Sequence, residues 1–220
     1  IREAVKSEEL RWYLGIYLAA SLFIGANLIH QGRTAGYAAG HAFFTVSSIM
    51  STTGYATVDF TFWPLFSQVI LLLVMMIGAS AGSTGGGLKV SRFVVYLKSA
   101  REQIFKTRES RQIISVRMDG QILSDSTLLP LFRYLCLYVS FLLSGTLLLS
   151  LDSPDLMTAF SAAATAVNNV GPGLSAVGPA SHFGGFTAFT KLVLSLLMLA
   201  GRLELLPFLL FFSPRTWRRT

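Results

Sequence analysis

Two apolar stretches of this chain, residues 37–50 and 155–167, are too short to cross a bilayer, and each lies between two stretches that are long enough. About 30 Å of hydrocarbon takes roughly 20 helical residues, whereas segments of about 10 to 14 residues suit a half-helix that enters and leaves by the same face. The longer stretches cover residues 12–29, 65–79 with a continuation past Leu88, 130–149 and 189–212. Backbone returning from a half-helix must be buried in protein or line a wet cavity. The expected fold class is therefore an all-α membrane protein built from two helix–pore loop–helix repeats, residues 1–117 and 118–220. Mean hydropathy of +0.57 with 13% charged residues agrees. A soluble domain carries about 25% charged residues, so this chain has too little polar surface for a water-facing globule.

The basic residues test this topology. Of 18 Lys and Arg, eight fall between residues 89 and 117: Lys89, Arg92, Lys98, Arg101, Lys106, Arg108, Arg111 and Arg117. Arg2, Lys6 and Arg11 precede or open the first span, and Arg215, Arg218 and Arg219 close the chain. The positive-inside rule places all three clusters in the cytoplasm. Two crossings between successive clusters fit four spans, with both half-helices dipping in from outside. Asp59, Asp152 and Asp155 then lie outside with only Arg33 and Lys191. Lipid contact and orientation account for the net charge of +7, so no nucleic-acid partner is expected. The single Cys136 excludes an internal disulfide, and His30, His41 and His182 lack metal-ligand spacing. The chain opens on Ile1 rather than Met, which reads as a piece of a longer protein.

The two halves repeat in register. The turn Ser51-Thr52-Thr53-Gly54-Tyr55-Ala56 follows the first half-helix, and Asn168-Asn169-Val170-Gly171-Pro172-Gly173 follows the second. Gly54 and Gly171 lie 117 positions apart, the offset that also relates Tyr13 to Pro130. Carbonyls aimed at an axis can replace the hydration shell of an alkali cation. A glycine there allows backbone angles that other residues avoid and keeps side chain off the axis. The half-helix before it directs its partly negative end at the same place. The residues expected to form such a filter are Thr52, Thr53, Gly54 and Tyr55 with Asn169, Val170, Gly171 and Pro172. Potassium would be held by the backbone carbonyls of Thr52, Thr53, Gly54, Asn169, Val170 and Gly171. Ordinary polar turns between crossings are the alternative, which their matched positions disfavour.

The run Gly78-Ala79-Ser80-Ala81-Gly82-Ser83-Thr84-Gly85-Gly86-Gly87 interrupts the second span. Each glycine costs a helix about 1 kcal/mol against alanine, so Gly78, Gly82, Gly85, Gly86 and Gly87 should unwind it. A flexible loop below the filter that obstructs the pore and moves aside on opening is expected; a kink for close packing is the alternative. Gly78-Ala79-Ser80-Ala81-Gly82 has the spacing of a nucleophile elbow but lies in an apolar span without His and Asp partners, so no enzyme is expected. A phosphate loop would need Lys where Leu88 stands. Arg202 falls inside the last span, where a charge normally faces a cavity or a partner. It is expected to point at the pore and act as a barrier in gating; a structural pair with Glu204 is the alternative.

The residues at 48–56, 78–89, 166–173 and 201–204 resemble the Trk/Ktr/HKT superfamily of potassium transporters, and within it the C-terminal half of the bacterial TrkH branch. The likeness covers essentially the whole chain. It implies four helix–pore–helix repeats around one pore, of which this chain would supply the third and fourth. It also implies Gly54 and Gly171 as filter glycines, the same gating loop, and potassium uptake across the bacterial inner membrane with both ends of this chain cytoplasmic. A homodimer in membrane lipid and a cytoplasmic nucleotide-binding regulatory subunit of the TrkA type are implied as partners, with no organic cofactor. Glycine at the filter accompanies potassium in this family, whereas serine in the first repeat accompanies sodium. Coupled symport of potassium with protons or sodium by alternating access remains the second reading.

Overall fold

The computed structural model describes residues 7–83, 85–108 and 116–212. Arg2, Lys6, Thr84, Arg111, Arg215, Arg218 and Arg219 lie outside the described residues. Helix α1, Glu8–His30, begins with Glu8 and Glu9 at the positive end of its dipole. The first half-helix is α2, Ala35–Met50, capped by the Thr34 hydroxyl, which accepts from the Tyr37 amide at 3.4 Å. A 3-10 turn at Phe60–Phe62 leads to α3, Leu65–Ile77, which starts behind Pro64 and stops at Gly78 with φ +73°. An irregular segment then reaches α4, Val90–Arg108. Strands β1, Arg117–Met118, and β2, Gln121–Ile122, form a small antiparallel hairpin. The second half consists of α5 (Asp125–Leu149), α6 (Leu156–Asn168), α7 (Ala188–Arg202) and α8 (Leu205–Phe211).

By length and apolarity α1 and α5 qualify as single spans, whereas α3 and α6 are shorter apolar helices. The last expected span is not continuous: α7 and α8 qualify only together, across a 115° bend. Pro207 supplies the reason. Its ring would clash with the carbonyl of Leu203 in a continuous helix, but it is tolerated in the first turn of a new one. The chain therefore breaks at Glu204, which takes φ +63°. Arg202 consequently ends α7 with an exposed side chain instead of lying mid-helix.

Each half-helix packs against its two flanking helices, α2 on α1 and α3, α6 on α5 and α7, and contact between α3 and α6 joins the halves. Alanine makes the deep position of α6 possible. Ala159, Ala162, Ala163, Ala164 and Ala166 are fully buried, and small side chains let neighbouring backbones approach closely. The outward faces are apolar, with Leu22 62% and Leu147 70% exposed. In water such faces would be costly, but lipid tails are as apolar as leucine. Glu8 pairs with Lys98 at 2.7 Å and accepts from the Asp119 amide at 3.0 Å, tying α1 to α4 and the hairpin.

Candidate functional site

The sequence repeat is reproduced in backbone geometry. Thr52 and Asn169 both adopt the left-handed conformation, at φ +57° and +55°, and Gly54 and Gly171 follow two residues later at φ +78° and +114°. The half-helices end in the same way. The Thr53 amide donates to the Ser48 carbonyl at 2.9 Å, and the Val170 amide donates to the Thr165 carbonyl at 3.1 Å. Among the described residues, the carbonyls of Thr52, Thr53, Gly54, Asn169, Val170 and Gly171 accept no hydrogen bond. Six carbonyls on two neighbouring turns without a partner among the described residues are what an ion replacing its water would need.

The two turns meet. A Cβ on Gly54 would collide with the carbonyl oxygen of Val170 and lie 3.1 Å from Pro172 Cδ. Glycine at 54 is thus demanded twice, by its φ and by the approach of the other turn. Outside this contact lies an open cavity of about 330 Å³, lined by Gly54, Tyr55, Gly171, Pro172, Val177 and Phe183 among others. Tyr55 is 74% exposed there. Val170 by contrast is buried.

Side chains hold the second turn from behind. The buried Asn168 donates from Nδ2 to the Ala164 carbonyl at 2.7 Å and accepts at Oδ1 from the Tyr138 hydroxyl at 3.0 Å. Asn169 Nδ2 donates to the Met198 carbonyl on α7 at 3.2 Å. The Ser161 hydroxyl accepts from the Leu174 amide at 2.9 Å, and Thr165 Oγ1 accepts from the Gly171 amide at 2.8 Å. The first turn has less: Thr53 Oγ1 and Ser51 Oγ lie 2.8 Å apart, and His41 Nδ1 meets Thr57 Oγ1 at 2.8 Å. Sequence reading identified the asparagines and threonines of the turns but missed Ser161, Thr165 and Tyr138. The available signal was a hydroxyl on both half-helices at the common offset, Ser48 and Thr165.

The Gly-rich run lies at the base of both turns. A Cβ on Gly85 would sit 2.5 Å from Thr52 Oγ1, and one on Gly86 would sit 2.6 Å from the Asn168 carbonyl oxygen. Gly87 approaches Asn168 Oδ1, Gly78 approaches the Gly86 carbonyl, and Gly82 has open space around it. The segment is a closed loop: the Leu88 amide donates to the Met76 carbonyl at 3.2 Å and the Val90 amide to Ala79 at 3.0 Å. The Ala81 amide donates to Glu9 Oε1 at 2.5 Å, beside a cavity of about 420 Å³ lined by Glu9, Tyr13, Ser51 and Ser80 among others.

The loop also reaches the break in the last span. Glu204 accepts from Lys89 Nζ at 2.9 Å and from Arg92 Nη2 at 3.2 Å, so its partners are those cations across the helices. Arg92 stacks on the Tyr134 ring, 4.1 Å from its centroid, and Tyr134 donates to the Gly87 carbonyl at 3.4 Å. At the outer end, Asp155 caps α6 by accepting from the Thr158 amide at 2.7 Å and the Ser175 hydroxyl at 3.0 Å. These bonds, the Thr158 amide first, hold its carboxyl below the usual carboxylate range against the opposing effect of burial.

Residues 12–219 match the family model TrkH, described as a cation transport protein. The chain is 32% identical over 99% of its length to the Trk system potassium uptake protein TrkG of Escherichia coli (strain K12), covering 45% of that protein. It is 34% identical over 97% of its length to the TrkH protein of Vibrio parahaemolyticus, covering 44% of it. The crystal structure of the potassium transporter TrkH from Vibrio parahaemolyticus superimposes with a TM-score of 0.88 at 33% identity, over 97% of this chain and 46% of that one. The chain thus spans about half the length of these relatives. With both half-helices, both return turns and the intervening loop inside the matched region, this chain belongs to the TrkH cation transport protein family.

Proposed function

We propose that this chain supplies two of the strands of a carbonyl-lined potassium filter and the loop that gates it, in a protein that takes up potassium across the bacterial inner membrane. The reading rests above all on the paired turns, in which matching backbone angles at 52/54 and 169/171 bring Gly54 against the Val170 carbonyl, with six carbonyls that accept no hydrogen bond among the described residues. Potassium binds through the carbonyls of Thr52, Thr53, Gly54, Asn169, Val170 and Gly171, with Tyr55 and Pro172 at the outer mouth. The dipoles of α2 and α6 favour a cation there. Relatives named as potassium uptake proteins support the choice of ion.

The Gly-rich loop between α3 and α4 obstructs the path directly below the turns, and Arg202 adds an electrostatic barrier. Contact of Gly85 and Gly86 with Thr52 and Asn168 supports the obstruction. The working assembly is a homodimer in lipid with both ends of this chain cytoplasmic, regulated by a nucleotide-binding subunit of the TrkA type. Tracer rubidium uptake into liposomes holding the protein from its complete coding sequence tests the reading. Competition by potassium but not sodium is expected; equal competition by sodium would overturn the selectivity, and a requirement for a second ion would point to coupled transport. Shortening the loop within residues 82–87, or Arg202→Ala, should raise the resting leak.

A further inference from the structure

Ion choice by a carbonyl ring depends on how firmly each carbonyl is held. The amide of Gly171 and the carbonyl of Val170 belong to one peptide unit, which is planar and trans, so its N–H and C=O point in opposite directions. Whatever grips the Gly171 amide therefore aims the Val170 oxygen. That grip is the hydroxyl of the fully buried Thr165, at 2.8 Å. Hydroxyls on helices usually donate back to a carbonyl one turn earlier. Thr146 does so toward Leu142 at 2.8 Å, and Thr107 toward Gln103 at 2.9 Å. Thr165 instead spends its acceptor on the turn, while its own carbonyl takes the preceding amide from Val170 at 3.1 Å.

The need for such a grip is visible at Gly171 itself. Its φ of +114° is open to glycine, and no atom lies within 4 Å of a Cβ built there. On its own turn the amide side of this peptide is held by the Thr165 hydroxyl, while its carbonyl side lies against Gly54 of the other turn. The equivalent peptide of the first turn is held more loosely, with the Gly54 amide donating to the Ser48 carbonyl at 3.3 Å, but it is wedged by the other turn.

We propose that Thr165 is the positioning residue for ion selectivity in the second turn, its hydroxyl fixing the rotation of the Val170–Gly171 peptide; this rests on the filter reading above. The experiment is rubidium uptake into liposomes, competed by potassium or sodium, for Thr165→Val, Thr165→Ser, Gly54→Ala and Gly171→Ala in the protein from its complete coding sequence. Thr165→Val keeps the shape and removes the hydroxyl; it should retain uptake while the preference for potassium over sodium falls roughly tenfold, the scale of one lost hydrogen bond. Thr165→Ser should stay within about twofold of the parent because the acceptor remains. Parental preference in the valine variant overturns the proposal, as does a serine variant as unselective as valine. Should the valine variant fail to fold, Thr165→Ala removes the same acceptor and is read by the same two outcomes. If Gly54→Ala abolishes uptake or Gly171→Ala lowers uptake or the preference, while Thr165→Val keeps the parental preference, the filter stands and the positioning role falls. If none of the variants alters uptake or preference, the filter reading falls as well.

Discussion

The two return turns share a backbone trace and differ in what enforces it. The first, around Gly54, is fixed by crowding: its glycine has no room for a side chain beside the Val170 carbonyl. Behind it the buried hydroxyls of Ser48 and Thr45 have no hydrogen-bond partner among the described residues. The second, around Gly171, has open space at its glycine but a hydrogen-bonded scaffold of Ser161, Thr165, Asn168 and Asn169 behind it. Duplicated units can thus hold one conformation by contact in one copy and by bonding in the other. Conformation and support are separable, and only the first is symmetric.

The largest test of that contrast compares alanine at the two glycines. Gly54→Ala should abolish rubidium uptake, because it adds a backbone collision to the strain of positive φ. Gly171→Ala meets only the conformational cost, about 1–3 kcal/mol, and should leave a folded protein with reduced uptake. A more severe loss at 171 than at 54 would reverse the assignment of crowding and bonding.

Next in size is the coupling between the repeats. Glu204→Gln removes the charge that holds Lys89 and Arg92 to the break in the last span. With the carboxylate 39% exposed, the cost is expected at about 1 kcal/mol after allowing for screening. A severalfold rise in resting potassium efflux from loaded liposomes should accompany it; an unchanged efflux would separate the two breaks functionally.

Thermal midpoints in detergent should distinguish the supports themselves. Thr165→Val should cost about 1 kcal/mol through loss of its bond to Gly171. Ser48→Ala removes a buried hydroxyl that has no partner among the described residues and should be neutral or stabilising. Equal losses at both positions would erase the contrast.

The smallest effect is the pH dependence of the two half-helix caps. Asp155, held below its ordinary value of about 3.9, stabilises α6 at all pH above that value and loses the contribution as pH falls through the lowered one. Thr34 caps α2 with a hydroxyl that does not titrate. Hydrogen exchange at the first turn of α6 should therefore accelerate below about pH 4 while that of α2 does not.

The sequence by itself determined the elements and the pairing of the turns. Spans, half-helices and the Gly-rich interruption follow from apolar length and local propensity. Gly54 and Gly171 follow from a common offset. These are properties of short windows, so a single chain displays them. Other features depended on residues far apart in sequence. Glu204 could be weighed only against its neighbour Arg202, yet its partners are more than 100 residues away at Lys89 and Arg92. Pro207 marked the break of the last span locally, but apolarity on both sides concealed it. Which hydroxyl on a half-helix grips the turn, and which is left unpaired, was decided by packing alone. A hydroxyl's neighbours are set by how helices approach one another, and that approach is a property of the whole bundle.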